Sequence, residues 1–250
     1  MLVPILKKVL PETRLMDKMK MKWDSPQEEE FGMALTSLHS SVSFLFAPKQ
    51  SKFVLDNYVL LNNERFKSKW LSAHQRLAKK LQTINKGKTL VFKSPGNTAR
   101  MAELLEVYPD AKFIHIVRNP HDVIPSTINL YNKILPEFSL QDETSLDLNS
   151  FVFDYYEKVM DKYMSSINNL SQNQLAELKY EDFVANPIDT IKSSFSKIEL
   201  EFPSEQLLDF FEARKNFKRN SFKRNEVLAK NIEKRCKKVL EHYNYDQANN

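Results

Sequence analysis

Glycine and cysteine are scarce in this chain of 250 residues, which contains three glycines and one cysteine. Because one cysteine has no partner within the chain, an internal disulfide is excluded, and so is a metal site built from cysteines. The three glycines, Gly32, Gly87 and Gly96, do not form a G-x-x-x-x-G-K-[ST] loop, so this phosphate-binding motif is absent. No apolar run approaches the roughly 20 residues that a membrane-spanning helix needs.

The overall composition is that of a globular protein, with 42% hydrophobic and 28% charged residues. A chain of this length can bury one sizeable core, so we expect residues 1–250 to form a single domain. The opening segment MLVPILKKVLP is too short for a signal peptide, and its charges stand on the wrong side of the apolar part. We therefore expect a cytoplasmic protein.

Positive charge is concentrated near the C-terminus, where eleven lysines or arginines and two glutamates lie between Arg214 and Lys238. Such a segment could attract nucleic acid, an acidic lipid surface or a nucleotide, or it could be a solvated helix face. Aromatic residues do not alternate with the basic ones as a base-stacking platform requires. We therefore expect no nucleic-acid partner.

The run TLVFKSPGNTARMAELLEVYPDAKFIHIVRNPHDVIPSTIN reads as strand, turn, helix, strand, turn, helix. Thr89–Phe92 is a short β-favouring segment, and Lys112–Val117 is apolar enough to be a strand covered on both faces. Between them, apolar residues at i, i+3, i+4 and i+7 predict a helix that Asn97 or Thr98 caps. The pattern predicts an α/β fold with a parallel sheet and a right-handed crossover.

Polar side chains follow both predicted strands, at the carboxyl ends where parallel sheets bind ligands. Lys93, Asn97 and Thr98 follow the first strand, and Arg118 follows the second. The helix N-termini offer N–H groups to an anion, and the Arg118 guanidinium adds a planar set of donors suited to phosphate. Ser126, further along the second helix, could contact the same anion from the flank. The alternatives are a surface salt bridge for Arg118 and a hydroxyl bonded to its own helix for Ser126.

An acidic cluster, Glu28, Glu29 and Glu30, stands at the start of another predicted helix. Glu28 or Glu30 could deprotonate an acceptor hydroxyl. In the competing interpretation Glu28 forms a capping box with Ser25, and all three carboxylates complement the helix dipole. The residues expected to continue the buried apolar face of this helix are Phe31, Ala34, Leu35 and Leu38.

The remaining segments give a coarser prediction. Ser40–Leu61 and Pro136–Asn149 lack a clear period and are expected to be irregular segments that line an acceptor pocket. A helix is predicted from Asn62 or Asn63 to about Asn85, with an apolar stripe that ends at Ile84. Further elements are a helix through Phe151 and Tyr163, a strand at Leu175–Tyr180, a helix after Asn186-Pro187 and a last helix at about Glu226–Tyr243.

The run KSPGNTARMAELLEVYPDAKFIHIVRNPHDVIPST resembles the sulfotransferase family. It is most similar to a bacterial-type branch with a K-x-P-x-[HN]-T-x-R turn before an R-[ND]-P-x-D-V-x-x-S turn. The segment DSPQEEEF and the YEDF segment that precedes Pro187 resemble the same family. The resemblance begins at about residue 5 and extends to the C-terminus.

The resemblance implies a P-loop-NTPase-like three-layer sandwich with a central parallel sheet flanked by helices. It also implies transfer of a sulfuryl group from 3′-phosphoadenylyl sulfate (PAPS) to a hydroxyl or amine of a small-molecule, lipid or carbohydrate acceptor, without a metal. Arg118 and Ser126 match the residues that bind the 3′-phosphate, and Lys93 matches the lysine that approaches the sulfuryl group. Lys218 and Asn220 match a basic segment near the 3′-phosphate.

Asn97 and Thr98 belong to the same donor-binding turn by resemblance. Asn97 stands where many relatives have histidine, so a histidine base is not available there. The family's glycine-containing 5′-phosphosulfate loop has no counterpart, so we expect an N-terminally truncated domain. Two alternatives stay open: a non-catalytic remnant that binds a 3′-phosphonucleotide or a protein partner, and a nucleotide kinase or other P-loop NTPase.

Overall fold

The computed structural model describes residue 13, residues 25–203, residue 207, residues 210–211 and residues 225–245. The chain divides into two compact units, each described by itself below. Unit 1 contains the described residues of Met1–Asn97 and Thr127–Tyr155. Unit 2 contains those of Thr98–Ser126 and Tyr156–Asn250.

Most described residues are helical. The α-helices in chain order are α1 (Glu29–Ser37), α2 (Ser43–Phe46), α3 (Ser51–Val54), α4 (Glu64–Ile84), α5 (Met101–Val107), α6 (Pro120–Phe138), α7 (Leu148–Ser166), α8 (Tyr180–Ala185), α9 (Pro187–Lys197), α10 (Glu226–Arg235) and α11 (Lys237–His242). Short 3₁₀ turns occupy Pro48–Gln50, Pro95–Ala99, Glu143–Ser145 and Ile167–Asn169, and Leu55–Val59 is π-helical. The described strands are β1 (Phe113–Val117) and β2 (Leu175–Lys179). No helix in the described ranges has both the length and the apolar character needed to cross a membrane.

Strands β1 and β2 of unit 2 pair in parallel, with Phe113 opposite Leu175 and Val117 opposite Lys179. The predicted parallel pairing is therefore confirmed for these two strands. The prediction that β1 is covered on both faces is wrong, because Ile114 and Ile116 on one face are exposed. A sheet with two described strands gives helices too little surface to cover both of its faces.

The strand predicted at Thr89–Phe92 is absent from the structure, where this segment has no regular secondary structure. An extended segment becomes part of a sheet only when a neighbouring strand pairs with its backbone, and no described strand does so. Its aromatic residue still contributes to unit 1, since Phe92 packs edge-on against His74, with ring centroids 4.9 Å apart. His74 in turn stacks on the buried Trp70 of α4.

Helix α4 begins where the sequence predicts, because the Asn63 side chain accepts hydrogen bonds from the backbone N–H groups of Arg65 and Phe66. Its predicted apolar stripe is shorter than expected, since Ile84 at the last turn is exposed. Helices α1 and α4 pack together in unit 1, where Gly32 allows close approach: a Cβ at this position would lie 3.1 Å from the Leu77 side chain.

Helix α1 has the opposite orientation to the one predicted. Phe31, Leu35 and Leu38 are 43%, 89% and 75% exposed, whereas Glu29, Glu30 and Met33 are buried. The interior accepts these two carboxylates because buried or partly buried polar groups bond to them, as described below. Both sets of residues, 29, 30 and 33 on the one hand and 31, 35 and 38 on the other, have a spacing compatible with one helix face. Spacing alone therefore does not identify the inward face.

Two predicted helix caps are wrong. Helix α1 begins at Glu29, and Glu28 occupies the N-cap position without a capping hydrogen bond from its side chain. Neither Asn97 nor Thr98 caps α5, because both lie in the 3₁₀ turn that precedes it and Arg100 holds the cap position. The Glu28 carboxylate bonds to Lys93 instead of capping α1, and the 3₁₀ turn holds Asn97 and Thr98 away from the cap position of α5.

The start of α6 is as predicted, with Pro120 as its first residue. The Asn119 side chain accepts a hydrogen bond of 2.9 Å from the His121 N–H group and so supports that start. The loop predicted at Pro136–Asn149 is shorter in the structure, since α6 continues to Phe138 and α7 begins at Leu148. The predicted last helix is divided into α10 and α11 at the buried Cys236.

Candidate functional site

An ion pair joins Lys93 and Glu28 within unit 1. The Lys93 ammonium donates a hydrogen bond to Oε1 of Glu28. Because the Glu28 carboxylate does not cap α1, it is available for this contact. Lys93 is exposed and Glu28 is partly exposed, so both charged groups can be reached by a ligand from solvent. The structure thus brings together two residues that the sequence assigns separately to sulfuryl transfer and proton removal.

A tyrosine that the sequence analysis missed lies beside this pair. Tyr131, from α6, contacts Phe44 edge-on, with ring centroids 4.8 Å apart. Burial, together with the negative charge of Glu28, raises the pKa of Tyr131 to about 12. At neutral pH its hydroxyl is therefore protonated and cannot act as a general base. Only its position on a helix was visible in the sequence, which says nothing about a neighbour in another element.

The other two carboxylates of the acidic cluster are buried and held by nearby groups. Oε1 of Glu29 accepts a hydrogen bond from the side-chain amide of Asn97. Oε2 of Glu30 accepts hydrogen bonds from the Ser40 hydroxyl, at 2.6 Å, and from the Ser41 N–H group, at 2.8 Å. Glu30 is fully buried, so these contacts connect the start of α1 to the turn that follows it. Of the two predicted bases, Glu28 is the one that reaches solvent.

Arg118 follows β1 in unit 2 and is held on two sides. Its Nε and Nη2 groups donate to Oδ2 of Asp122, at 3.3 and 3.0 Å, and its guanidinium carbon lies 4.8 Å from the centre of the Tyr180 ring. The salt bridge that the sequence offered as an alternative is therefore present. The side chain remains 26% exposed, and its Nη1 group has no partner in the described part of the chain. This free group fits an anion, because a guanidinium binds phosphate through adjacent N–H donors.

The remaining predicted site residues have less to add. Ser126 is partly buried within α6, and Thr98 is partly buried in the 3₁₀ turn Pro95–Ala99. Lys218 and Asn220 lie outside the described residues. Within the described ranges, no group of three His, Cys, Asp or Glu side chains is placed to hold a metal ion.

A partly buried network in unit 2 centres on Glu177 of β2. Oε1 of Glu177 accepts hydrogen bonds of 2.6 Å from the hydroxyls of Tyr163 and Tyr243. Burial alone would raise the pKa of Glu177, but these two hydrogen bonds, together with the charges of His115 and His242, lower it below its usual value. The ring of His115 stacks on Tyr163 at 4.0 Å, and burial lowers the pKa of His115 to about 4. No motif or spacing in the sequence indicates this network.

Glu177 and Tyr243 also line an open cavity of about 840 Å³ in unit 2. The last residues of both strands, Val117 and Lys179, contribute to its wall. Among the predicted site residues that the structure describes, none lines it. Its volume therefore does not bear on the predicted donor site.

The sequence pattern that defines the sulfotransferase family matches residues 7–204 of this chain. The chain belongs to the sulfotransferase family. The resemblance found in the two turns that carry Lys93 and Arg118 is therefore confirmed at the level of the family. Its similar curated proteins include the omega-hydroxy-beta-dihydromenaquinone-9 sulfotransferases Stf3 of Mycobacterium bovis and Mycobacterium tuberculosis, each 27% identical to it. These matches cover 98% of this chain, which spans 64% of the length of each relative.

Solved structures of mycobacterial sulfotransferases share the fold. Sulfotransferase STF9 from Mycobacterium avium superposes with a TM-score of 0.70 at 15% identity, over 96% of this chain and 62% of that protein. STF1 from Mycobacterium tuberculosis H37Rv gives a TM-score of 0.59 at 16% identity, over 80% of this chain and 52% of that protein. The fold is therefore a sulfotransferase fold with a small parallel sheet and mostly helices, for which the family implies the P-loop-like sandwich.

Proposed function

We propose that this protein is a PAPS-dependent sulfotransferase whose acceptor presents a hydroxyl group on a lipid or another small molecule. Family membership supports the reaction class. We assign the reaction to Lys93 and Glu28 because they form an accessible ion pair. The Stf3 relatives are named for an omega-hydroxylated menaquinone, which favours a lipid hydroxyl as the acceptor group.

Bound PAPS supplies the sulfuryl group. Glu28 takes the proton of the acceptor hydroxyl as the acceptor oxygen forms its bond to sulfur and the bond from sulfur to the donor's phosphate oxygen breaks. Lys93 stabilises the negative charge on the transferring group, as fixed cations do in phosphoryl transfer. An ammonium has three N–H donors, so Lys93 can contact Glu28 and a sulfuryl oxygen at the same time.

Arg118 binds the 3′-phosphate through Nη1, the guanidinium nitrogen that does not donate to Asp122. Ser126, on α6, contacts the same phosphate. The Tyr180 ring and Asp122 restrict the guanidinium to one orientation, which reduces the entropy lost when the phosphate binds. Asn97 is already bonded to Glu29, so its role is to hold the turn beside Lys93.

Isothermal titration calorimetry with two donors tests this assignment. We expect heat of binding with PAPS and none with ATP plus Mg²⁺. Binding of ATP with Mg²⁺ and none of PAPS would instead identify a nucleotide kinase or another NTPase. The matched variant is Arg118→Ala, which should lose PAPS binding without loss of helical content by circular dichroism.

A further inference from the structure

Three large apolar side chains are exposed along α1 and at the residue that ends it. Phe31 and Leu35 lie one turn apart on the same side of α1, and Leu38, which ends the helix in the left-handed conformation, is exposed beyond them; these three residues are here called the α1 stripe. Over seven residues a helix advances about 10 Å, so the stripe is a narrow strip. Large apolar side chains that stand together in solvent mark a binding surface more often than an ordinary exterior.

The α1 stripe is exposed while two carboxylates of the same helix are buried. An amphipathic helix normally places its apolar residues inward, because burying them removes apolar surface from water. Here the inward face holds Glu29 and Glu30 through hydrogen bonds, and the outward face remains apolar. The apolar side chains are therefore exposed because hydrogen bonds hold the polar face of α1 inward.

One end of the α1 stripe lies next to the proposed reaction centre. Glu28 stands three residues before Phe31, at the N-cap of α1. The other end leads into a group of aromatic rings: His39 follows Leu38 in the chain and its ring lies 5.5 Å from that of Tyr58.

The aromatic group continues beyond Tyr58. The Phe53 ring lies 5.6 Å from Tyr58 and 5.3 Å from Phe66, both edge-on, and Phe53 is itself exposed. Tyr58 belongs to the π-helical segment Leu55–Val59. Segments of this kind are rare and are frequent at functional sites.

We propose that the α1 stripe binds the hydrocarbon chain of the acceptor, with the acceptor hydroxyl at Glu28 and the distal part of the chain toward the aromatic group. This inference rests on the proposed role of Glu28. The path from Glu28 to Leu38 is about 15 Å long, so the acceptor is an extended chain rather than a compact ring system. Three side chains offer far less than the about 800 Å² per partner that a stable protein interface buries, which favours a chain over a second copy of the protein.

A pair of fluorescent alcohols tests the proposal by binding alone. The long probe is 12-(dansylamino)dodecan-1-ol, whose emission rises in an apolar environment, and the short probe is 2-(dansylamino)ethanol. The test variant is Leu35→Gln with Leu38→Asn, since asparagine tolerates the left-handed backbone at position 38, where φ is 60°. The control is Ile84→Gln, an equally exposed apolar residue at the end of α4.

We expect the parent and the control to bind the long probe much more tightly than the short one. Because two leucine side chains lose their apolar contact, the double variant should bind the long probe at least about tenfold more weakly. Equal binding of the long probe by the parent and the double variant would overturn the proposal. A parent that sediments as a dimer, with a monomeric double variant, would also overturn it by identifying the stripe as a contact between copies.

Titration with PAPS separates this inference from the proposed function. The double variant should bind PAPS as the parent does, because the substituted residues are not among the donor-binding ones. If stripe-dependent binding of the long probe occurs without PAPS binding, the apolar surface is supported and the sulfotransferase assignment fails. If PAPS binds and the long probe binds independently of the stripe, the assignment stands and this inference fails.

Discussion

Lys93 and Glu28 are in contact although 65 positions separate them in the chain. The helix that follows Glu28 does not use its carboxylate as a cap, and the segment that carries Lys93 has no regular secondary structure. Neither charged group is used to hold secondary structure, so the two can form an ion pair. An accessible cation beside an accessible carboxylate is the arrangement that sulfuryl transfer to a hydroxyl needs.

Glu28 and Glu30 should respond differently to the same substitution. Glu28→Gln should reduce the rate of sulfuryl transfer by about a hundredfold or more, because a neutral amide cannot accept the proton. Its stability should change little, since the ion pair with Lys93 is largely exposed. Steady-state rates and urea unfolding measure the two effects.

Glu30→Gln should mainly reduce stability. It weakens the buried hydrogen bonds from Ser40 and Ser41, and the expected loss in the free energy of unfolding is about 1 to 3 kcal/mol. If Glu30→Gln removed transfer while the folded state kept its stability, Glu30 rather than Glu28 would be the base.

Arg118→Ala should abolish retention of the protein on a resin that carries adenosine 3′,5′-bisphosphate. In the proposed function the guanidinium supplies the donors for the 3′-phosphate. Arg118→Lys should restore retention only in part, because a lysine cannot bind phosphate through two parallel hydrogen bonds. Arg65→Ala, at an exposed site on α4, is the matched control. Equal retention of the Arg118→Ala variant and the parent would remove Arg118 from the site.

The tyrosines around Glu177 should contribute to stability. Tyr163→Phe and Tyr243→Phe each remove one hydrogen bond to a carboxylate, which should cost about 1 to 3 kcal/mol in the free energy of unfolding measured with urea. Because both hydroxyls donate to the same oxygen, the double variant should lose less or more than the sum of the two. Strict additivity would show that the two hydrogen bonds act independently.

His115 should make the protein less stable in acid. Its pKa in the folded protein is about 4, below the usual 6.5, so the unfolded chain takes up a proton in a pH range where the folded protein does not. The stabilising effect of the neutral ring is complete above pH 6.5 and is lost as the pH falls through 4, which amounts to about 3 kcal/mol.

His115→Phe, which keeps an aromatic ring beside Tyr163, should flatten this part of the pH profile of urea unfolding. Glu177 also loses its charge in acid, but its lowered pKa places that loss at lower pH. An unchanged slope between pH 6.5 and 5 in the variant would mean that another group titrates there.

The sequence predicts those parts of the fold that local chemistry determines. The start of α4 follows from the Asn63 cap and the start of α6 from Pro120, and β1 follows from its apolar run. The strand at Thr89–Phe92 is wrong because a strand requires a partner, and pairing is not encoded in one segment. Residue motifs were sufficient to identify the family but not to show which contacts their side chains make.

The inward face of α1 shows a second limit. Hydrophobic spacing assigned Phe31, Leu35 and Leu38 to the core, yet the structure buries Glu29 and Glu30 instead. The difference arises from hydrogen-bond partners outside the helix: Asn97, 68 positions from Glu29, and Ser40, ten positions from Glu30. Long-range polar partners of this kind also explain why Tyr131 and the Glu177 network could not be predicted.

Sulfuryl transfer by the Lys93 and Glu28 pair can be followed as the transfer of ³⁵S from labelled PAPS to dodecan-1-ol. The parent chain, Glu28→Gln and Lys93→Ala are compared at equal PAPS occupancy. We expect labelled dodecyl sulfate with the parent and a loss of about a hundredfold or more in both variants. PAPS binding without any labelled product, or equal product from the parent and both variants, would contradict it.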